Sequence, residues 1–402
     1  MTKSVADTAL WDVLIVGAGP AGAAAAAQLA RFGHTTLLLD RHPFPRDKVC
    51  GDGLIPDALK SLKTLGLYDA VRQVGYPVDK IVVLSPSGIR VEIPARCVTL
   101  KRRRLDKLIV DEAVAQGATF RVAAVKRMRQ EADGMVSADL VNSDIPICAR
   151  IGILATGADV SLLERLSMLD RREPSGIAAR CYIRSQVSVD ELIVSFDRSI
   201  APGYAWIFPL GNQEYNVGCG VFFDGRRRGK VNLRLAFDTF TSRVAPARAL
   251  MDRAESVGPL RGARLRSGLG GSSFYNGGSI LTIGEAAGAT YPFTGEGIGK
   301  AMETASLAAR QVHEALEHST KEPLHLYPSL VNKHLVPRYL GYRVAQRWIA
   351  KPWLSDLVAA RIRTSRNLQR LAAGIIDEVT DPRDVFTWQT LFPRWTRRWK
   401  AT

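Results

Sequence analysis

The chain has 402 residues, 46% of them hydrophobic and 23% charged, and a formal net charge of +16. That length implies two or three domains, and the composition is that of a soluble globular protein, which excludes a disordered chain. The five cysteines (Cys50, Cys97, Cys148, Cys181 and Cys219) are odd in number and contain no Cys-x-x-Cys, so neither a disulfide framework nor a metal site is expected.

Residues 1–9 carry no apolar signal core, and no window reads as a membrane span, so the protein is expected in the cytoplasm. The first element is an apolar strand over 12–16. It is followed by the turn Gly17-Ala18-Gly19-Pro20-Ala21-Gly22, an alanine-rich helix over 23–31 and a second strand over 35–39 that ends on Asp40. This is a dinucleotide-binding fingerprint in its full context. Gly17 allows the tight turn, Gly19 lets the backbone approach a pyrophosphate, and Gly22 lets the helix pack on the strand. The helix N-terminus offers N–H groups to phosphate, and Asp40 can accept from a ribose diol. Next come Arg46 and Lys48, then Cys50 between Val49 and Gly51-Asp52-Gly53. The two cations would favour a thiolate, and the glycines let the backbone pass close to a flat ring. The alternative for Cys50 is a small packing residue.

Residues 80–93 alternate like paired strands around Pro86-Ser87-Gly88, 101–117 read as a basic segment entering a helix, and 120–127 and 149–154 read as strands extending the nucleotide sheet. Strand patterns resume over 176–223. There Tyr204, Trp206 and Phe208 precede Pro209 at period two and share one face. They suit either an aromatic wall for a long apolar ligand or an ordinary sheet core. Residues 231–251 read as helical, and 262–267 as the return to the nucleotide sheet.

Only one such fingerprint occurs. A short apolar strand over 279–283 leads into Gly284-Glu285-Ala286-Ala287-Gly288, then Pro292-Phe293-Thr294-Gly295-Glu296-Gly297-Ile298, then a helical pattern over 300–313. An acid at a strand end can hold a polyol such as ribitol. A glycine-rich turn opening a helix can aim N–H groups at a flavin pyrimidine. The cofactor is therefore expected to be FAD, bound non-covalently. With no second Rossmann unit, the electron donor docks transiently; NAD(P)H is the candidate. Asp57, Glu296 and Lys300 are either solvent-facing or site-lining.

The Lys-x-Cys-Gly-Asp-Gly-Leu-x-Pro stretch from Lys48, the Tyr204-Ala205-Trp206-Ile207-Phe208-Pro209 block and the Pro292 to Ile298 block resemble the geranylgeranyl reductase family of flavoproteins, and the first of them is similar to its menaquinone reductases. The resemblance implies an α/β, two-domain fold: a Rossmann-type FAD-binding domain (10–79, 98–165 and 275–320), a p-hydroxybenzoate-hydroxylase-like antiparallel-sheet substrate domain (80–97 and 166–274) and a C-terminal helical region (321–402). It implies cofactor contacts at Gly17, Ala18, Gly19, Pro20, Ala21, Gly22, Asp40, Arg41, Arg46, Lys48, Cys50 and Gly51. Further contacts follow at Arg102, Val125, Gly157, Gly284, Glu285, Gly295, Gly297 and Ile298, with Arg103 and Arg104 competing for the place of Arg102. Tyr204, Trp206 and Phe208 would meet the substrate, and Cys50 would supply the proton that complements hydride transfer. The implied reaction is reduction of isolated double bonds in a prenyl chain. Two departures stand out: Glu285 where the family has Asp, and Val160 where related hydroxylases have Gly. Other readings on the same fold are a flavin monooxygenase or halogenase, although halogenases rely on a lysine near the flavin and a Gly-Glu-Ser turn where this chain has Gly51-Asp52-Gly53, and a prenyl-binding escort, which would not need the intact phosphate turn.

From 326 to 402 there are 14 basic and 5 acidic residues, a net +9, with five of the seven tryptophans (Trp348, Trp353, Trp388, Trp395 and Trp399). Arg343, Arg347 and Lys351 fall on one helical face beside a Leu340, Val344 and Trp348 stripe. This pattern fits peripheral attachment to an anionic membrane surface, or a solvated helix packed on the flavin domain. No recognition motif supports nucleic acid. The oligomeric state is not specified.

Overall fold

The computed structural model describes residues 10–223 and 231–391. Two sheets organise it. In the first, of seven strands, Leu10–Val16 is flanked in parallel by Thr36–Asp40 and Ile147–Leu154. Thr119–Val122 continues the parallel order beyond Thr36–Asp40, and Ile280–Thr282 pairs with Ile147–Leu154. Val13, Leu14 and Ile15 are fully buried, as expected of a parallel strand covered on both faces. One cover is the Pro20–Arg31 helix, in which Ala23 through Ala27 have no exposed surface. Their small side chains let it lie between the Arg102–Ala115 and Ile298–Glu317 helices.

The 120–127 run, expected as one strand, is two. Ala123 donates to the carbonyl of Asp40 at 2.8 Å, ending the parallel ladder. Val125–Gln130 then pairs antiparallel with Val136–Leu140. Residues 123–124 absorb the change of direction.

The second sheet has nine strands. Gly176–Ser185, Glu214–Phe222, Gly203–Pro209 and Leu192–Ser195 are successive antiparallel neighbours. Leu192–Ser195 joins Tyr76–Leu84 in parallel, Arg90–Thr99 follows, and Gly53–Leu54 pairs with its end. The stretch after Cys50 is thus fastened to this sheet. The expectation that 262–267 returns to the nucleotide sheet needs correction. Arg261–Leu265 pairs antiparallel with Gly176–Ser185, and the chain leaves the second sheet only from Arg266. The 231–251 helix is also two helices, Leu233–Arg243 and Ala245–Asp252, with Pro246 in the first turn of the second, where its missing N–H costs nothing.

The C-terminal helices Pro352–Thr364 and Arg366–Ile376 pack Val358, Ile362, Leu368 and Ala372 onto Val91 and Ile93 of the second sheet. In the Val336–Ile349 helix the buried face is Tyr339, Tyr342 and Ala345, not Leu340, Val344 and Trp348. Tyr342 stacks on Tyr291 at 4.0 Å between centroids. The tyrosines carry the apolar packing there, and Leu340 is 43% exposed. Lys351 lies beyond this helix, and Arg343 donates to the carbonyl of Gly268 at 2.7 Å. The three basic residues therefore do not share one free helical face. Trp395 and Trp399 lie outside the described residues. No helix among the described residues is long and apolar enough to cross a membrane.

Candidate active site

The glycine turn is built by close approach. Gly17 has φ of +102°, and a Cβ there would lie 2.3 Å from the carbonyl oxygen of Ala155. A Cβ on Gly22 would lie 1.8 Å from the oxygen of Gly17. Gly19 differs: the nearest atom to its would-be Cβ is an Arg46 nitrogen at 3.9 Å, so its bare face opens onto a cavity. Asp40 accepts from the N–H of Ala18 at 2.9 Å and of His42 at 3.0 Å, and pairs with Arg46 at 3.3 Å.

The cavity has a volume of about 800 Å3. It runs from this turn along both sheets to an apolar end walled by Ile349, Val358, Ile362, Ile375 and Phe386. Gly17, Gly19, Pro20, Ala21, Asp40, Arg41, Arg46, Lys48, Cys50, Gly51, Arg102, Val125, Gly157, Glu285, Gly295, Gly297 and Ile298 all line it, as do Tyr204, Trp206 and Phe208. Ala18, Gly22 and Gly284 stand behind the wall and shape it. Gly284 has φ of +63° and donates to Thr304 at 2.9 Å. Arg102 is buried, whereas Arg103 and Arg104 are exposed. Its Nε and Nη2 reach Asp106 at 2.6 and 2.9 Å, and Arg46 meets the same carboxylate at 3.3 Å.

The Cys50 loop is held from the second sheet. Asn216 donates at 2.7 Å to the carbonyl of Cys50 and at 2.8 Å to Asp52. Asp52 has φ of +62° and also accepts from Tyr182 at 2.8 Å and from the N–H of Arg102 at 3.1 Å. The indole N–H of Trp206 donates to Asn216 at 2.9 Å. Gly51 and Gly53 lie flat on Phe208: a Cβ on either would sit 3.2 Å from its ring. Tyr204, Trp206 and Phe208 form a continuous wall with centroids 5.8 and 6.3 Å apart. The hydroxyl of Tyr204 donates to the carbonyl of Thr294 and so joins the wall to the Pro292 to Ile298 turn.

The expected thiolate is not what this setting favours. Burial pushes the Cys50 thiol above its ordinary value, Arg102 opposes this and Asp52 adds to it. Arg46, a neighbour in sequence, points instead at Asp40 and Asp106. Glu285 accepts from the N–H of Arg266 at 3.2 Å and faces Gly157 across the cavity, with its Oε2 3.6 Å from the would-be Cβ. Val160 has φ of −104°, so no glycine is required there. Positive φ falls instead on Gly157, at +66°. Sequence reasoning missed Asp106, Tyr182 and Asn216 as site residues. Two signals were present: the i, i+4 spacing of Arg102 and Asp106, and a lone Asn inside an apolar strand.

A parallel sheet with a glycine turn, an acid at the end of its second strand and a long apolar annex define an FAD-dependent oxidoreductase. Comparison with known proteins agrees. The profile of an FAD-binding domain matches residues 11–144, and that of a geranylgeranyl reductase catalytic domain matches 177–256. The chain is 35% identical over 369 residues to a menaquinone reductase of Mycobacterium tuberculosis, covering 86% of this chain and 84% of that one. It is 28% identical over 360 residues to digeranylgeranylglycerophospholipid reductase 2 of Methanosphaera stadtmanae, covering 84% and 87%. The chain belongs to the geranylgeranyl reductase family of FAD-dependent oxidoreductases. Among solved structures, a geranylgeranyl bacteriochlorophyll reductase-like protein from Thermoplasma acidophilum superposes with a TM-score of 0.74 at 21% identity, covering 98% of this chain and 99% of that one. A flavin-dependent brominase superposes with 0.75 at 16% identity, covering 98% and 100%. Both likenesses are of fold alone.

Proposed function

We propose that the protein saturates an isolated double bond in the isoprenoid chain of a prenylated quinone, with a prenyl phospholipid as the other member of the substrate class. The observation that carries this reading is the single cavity joining the dinucleotide turn to an apolar annex past the Tyr204, Trp206 and Phe208 wall. A rigid aromatic slot holds a flexible chain in one orientation and keeps water away from an unreactive alkene. The residues fit FAD: Gly19 leaves open the space its phosphates need, Asp40 and Arg46 stand at the ribose end, and Glu285 with Gly295, Gly297 and Ile298 stand at the flavin end. When bound and reduced, the cofactor supplies a hydride. Cys50, held as a thiol against Arg102, supplies the proton.

The test uses anaerobically reduced protein and menaquinone. A quinone ring takes up electrons itself, so the product is scored by mass after chemical reoxidation of the ring. Only a saturated side chain keeps the added pair of hydrogens. Product with that mass gain is the expected result. No gain with any prenyl compound, together with halogenated product from oxygen and halide, would assign the protein to the halogenase chemistry of its structural neighbour.

A bilayer-resident substrate requires contact with the membrane. Trp353 and Trp388 are 59% and 49% exposed and stack at 6.4 Å. Trp348 bridges them to Phe386 at the apolar end of the cavity. With Arg343 engaged by Gly268, Arg347 and Lys351 remain as exposed cations beside them. At about 1 kcal/mol each, these two would give roughly thirtyfold in partitioning. Pelleting with anionic vesicles is therefore expected to fall with salt without vanishing, because tryptophan insertion is insensitive to salt. Trp353→Ala with Trp388→Ala should remove the residue that salt leaves. Equal pelleting with neutral and anionic vesicles in the parent protein would show that the cations play no part.

A further inference from the structure

The apolar cavity has one polar corner that the reaction has not yet used. Asp57, in the first turn of the Pro56–Thr64 helix, and Glu296, just before the Ile298–Glu317 helix, both line it. Both carboxyl oxygens of Asp57 and Oε2 of Glu296 are buried without a hydrogen-bond partner. Gly299 makes room for this: a Cβ there would lie 2.1 Å from Oδ2 of Asp57. Asp57 still has the ammonium of Lys300 3.5 Å away, whereas among the described residues no ion pair holds Glu296; a buried carboxylate without a partner is costly, and for Glu296 the less costly state is the protonated one. Burial pushes Asp57 up to about 6, with Lys300 opposing and Glu378 assisting. Burial, followed by the charges of Asp57 and Glu378, raises Glu296 well above its ordinary value, with Lys300 opposing.

Behind the pair a ladder of charges leads outward. Lys300 is 1% exposed, and its Nζ lies 3.5 Å from Asp57, 2.6 Å from Glu303 and 2.7 Å from Glu378. Burial weakens its hold on the proton and Arg338 does likewise, but the three carboxylates outweigh both and raise it above its ordinary value. Arg338 contacts both Glu303 and Glu378, and Tyr291 donates to Glu378 at 2.6 Å. The side chains of Glu303 and Arg338 are each 29% exposed, so the ladder meets water there. On the cavity side, Tyr204, Tyr342 and Cys97 also feel the charge of Glu296, and burial keeps all three neutral.

We propose that Glu296 and Asp57 carry into the cavity the proton that each reduced bond consumes, reloaded from water through Lys300, Glu303 and Glu378. This rests on the prenyl-reduction reading above. The hydride and its electron pair form one C–H bond, and the cofactor is oxidised. The π pair of the alkene takes the thiol proton to form the second C–H bond. The thiolate then regains a proton as an O–H bond of the carboxyl pair breaks, and the carboxylate is reprotonated along the ladder. Glu296 and Asp57 are relay residues, not the group that meets the alkene.

Glu296→Gln and Asp57→Asn keep shape and remove the acidic proton. Both are expected to retain flavin and, once reduced, to be reoxidised by ferricyanide, which needs no proton from the site, at the parent rate. Repeated saturation of the menaquinone side chain, scored by mass gain, should slow by roughly tenfold or more. Parent turnover should fall as pH rises through the titration of Glu296, and Glu296→Gln should lack that limb. Glu296→Asp, which keeps an acid, should recover most of the rate. In cofactor-free protein, infrared difference titration should show a protonated carboxyl at neutral pH that is lost in Glu296→Gln. Parent rates and pH profiles in Glu296→Gln, or no such carboxyl band in the parent, would overturn the relay. Failure of the parent protein to reduce any prenyl chain would instead overturn the reading beneath it, and the infrared titration would still decide the state of the carboxyl pair.

Discussion

Gly19→Val is expected to yield a folded, colourless protein. Gly19 has φ of −72° and ψ of −175°, a conformation any residue adopts. The nearest atom to an added Cβ is the end of the flexible Arg46 side chain, 3.9 Å away, so the valine side chain here strains neither the backbone nor the turn. Its methyl groups enter the cavity where a pyrophosphate must approach the backbone. The contrast with its neighbours makes the test specific. A side chain at Gly22 meets the Gly17 oxygen at 1.8 Å, and one at Gly17 meets Ala155 at 2.3 Å in a left-handed conformation, so those variants damage the turn itself. Visible absorbance of the purified protein and thermal melting with added FAD are the measurements. In the parent, a hundredfold excess of FAD over Kd adds about 2.7 kcal/mol of stability. In Gly19→Val the melting temperature should match that of cofactor-free parent and show no response to FAD. A yellow variant with normal flavin content would remove the turn from the cofactor site.

What the sequence disclosed and what it concealed divide along a physical line. The glycine turn, the helix behind it and Asp40 lie within the 24 residues from Gly17 to Asp40, and each is a local requirement of backbone geometry. The period-two spacing of Tyr204, Trp206 and Phe208 is equally local, and the structure puts all three on one cavity wall. The charge state of Cys50 is not local. Arg46 and Lys48 are its neighbours in the chain, but the groups that act on it most are Arg102 and Asp52, the latter held by Asn216 and Tyr182 from distant strands. The C-terminal helix turns a different face inward than the Leu340, Val344 and Trp348 stripe, because Tyr339 and Tyr342 bury their rings and spend only a hydroxyl on polarity. The buried ladder joins Asp57 to Lys300 and Glu378, more than three hundred residues apart at its extremes. No window of sequence contains it.

Cys50→Ala is expected to slow saturation of the side chain of a prenyl quinone, scored by the mass gain that survives ring reoxidation, by roughly a hundredfold or more, within the range a positioned acid supplies. Flavin content should hardly change, because the contact that fixes the loop is made by the backbone carbonyl of Cys50 to Asn216 and survives the substitution. A thiol acts as the acid only if it keeps its proton until the alkene needs it. Burial and Asp52 secure this by raising it above the ordinary 9.0 against the pull of Arg102. The sign of the pH dependence follows. Below that raised value the thiol is protonated and the rate it supports is flat; above it the rate falls. An alkaline limb above pH 9 that persists in Glu296→Gln therefore belongs to Cys50, and it should be absent in Cys50→Ala. Cys50→Ser separates acidity from packing. The hydroxyl nearly fills the space of the sulfur but is a far weaker acid, so serine should restore stability without restoring rate. Equal rates of side-chain saturation in the parent and in Cys50→Ala would leave Cys50 as a packing residue and move the proton transfer to Glu296 itself, which also lines the cavity.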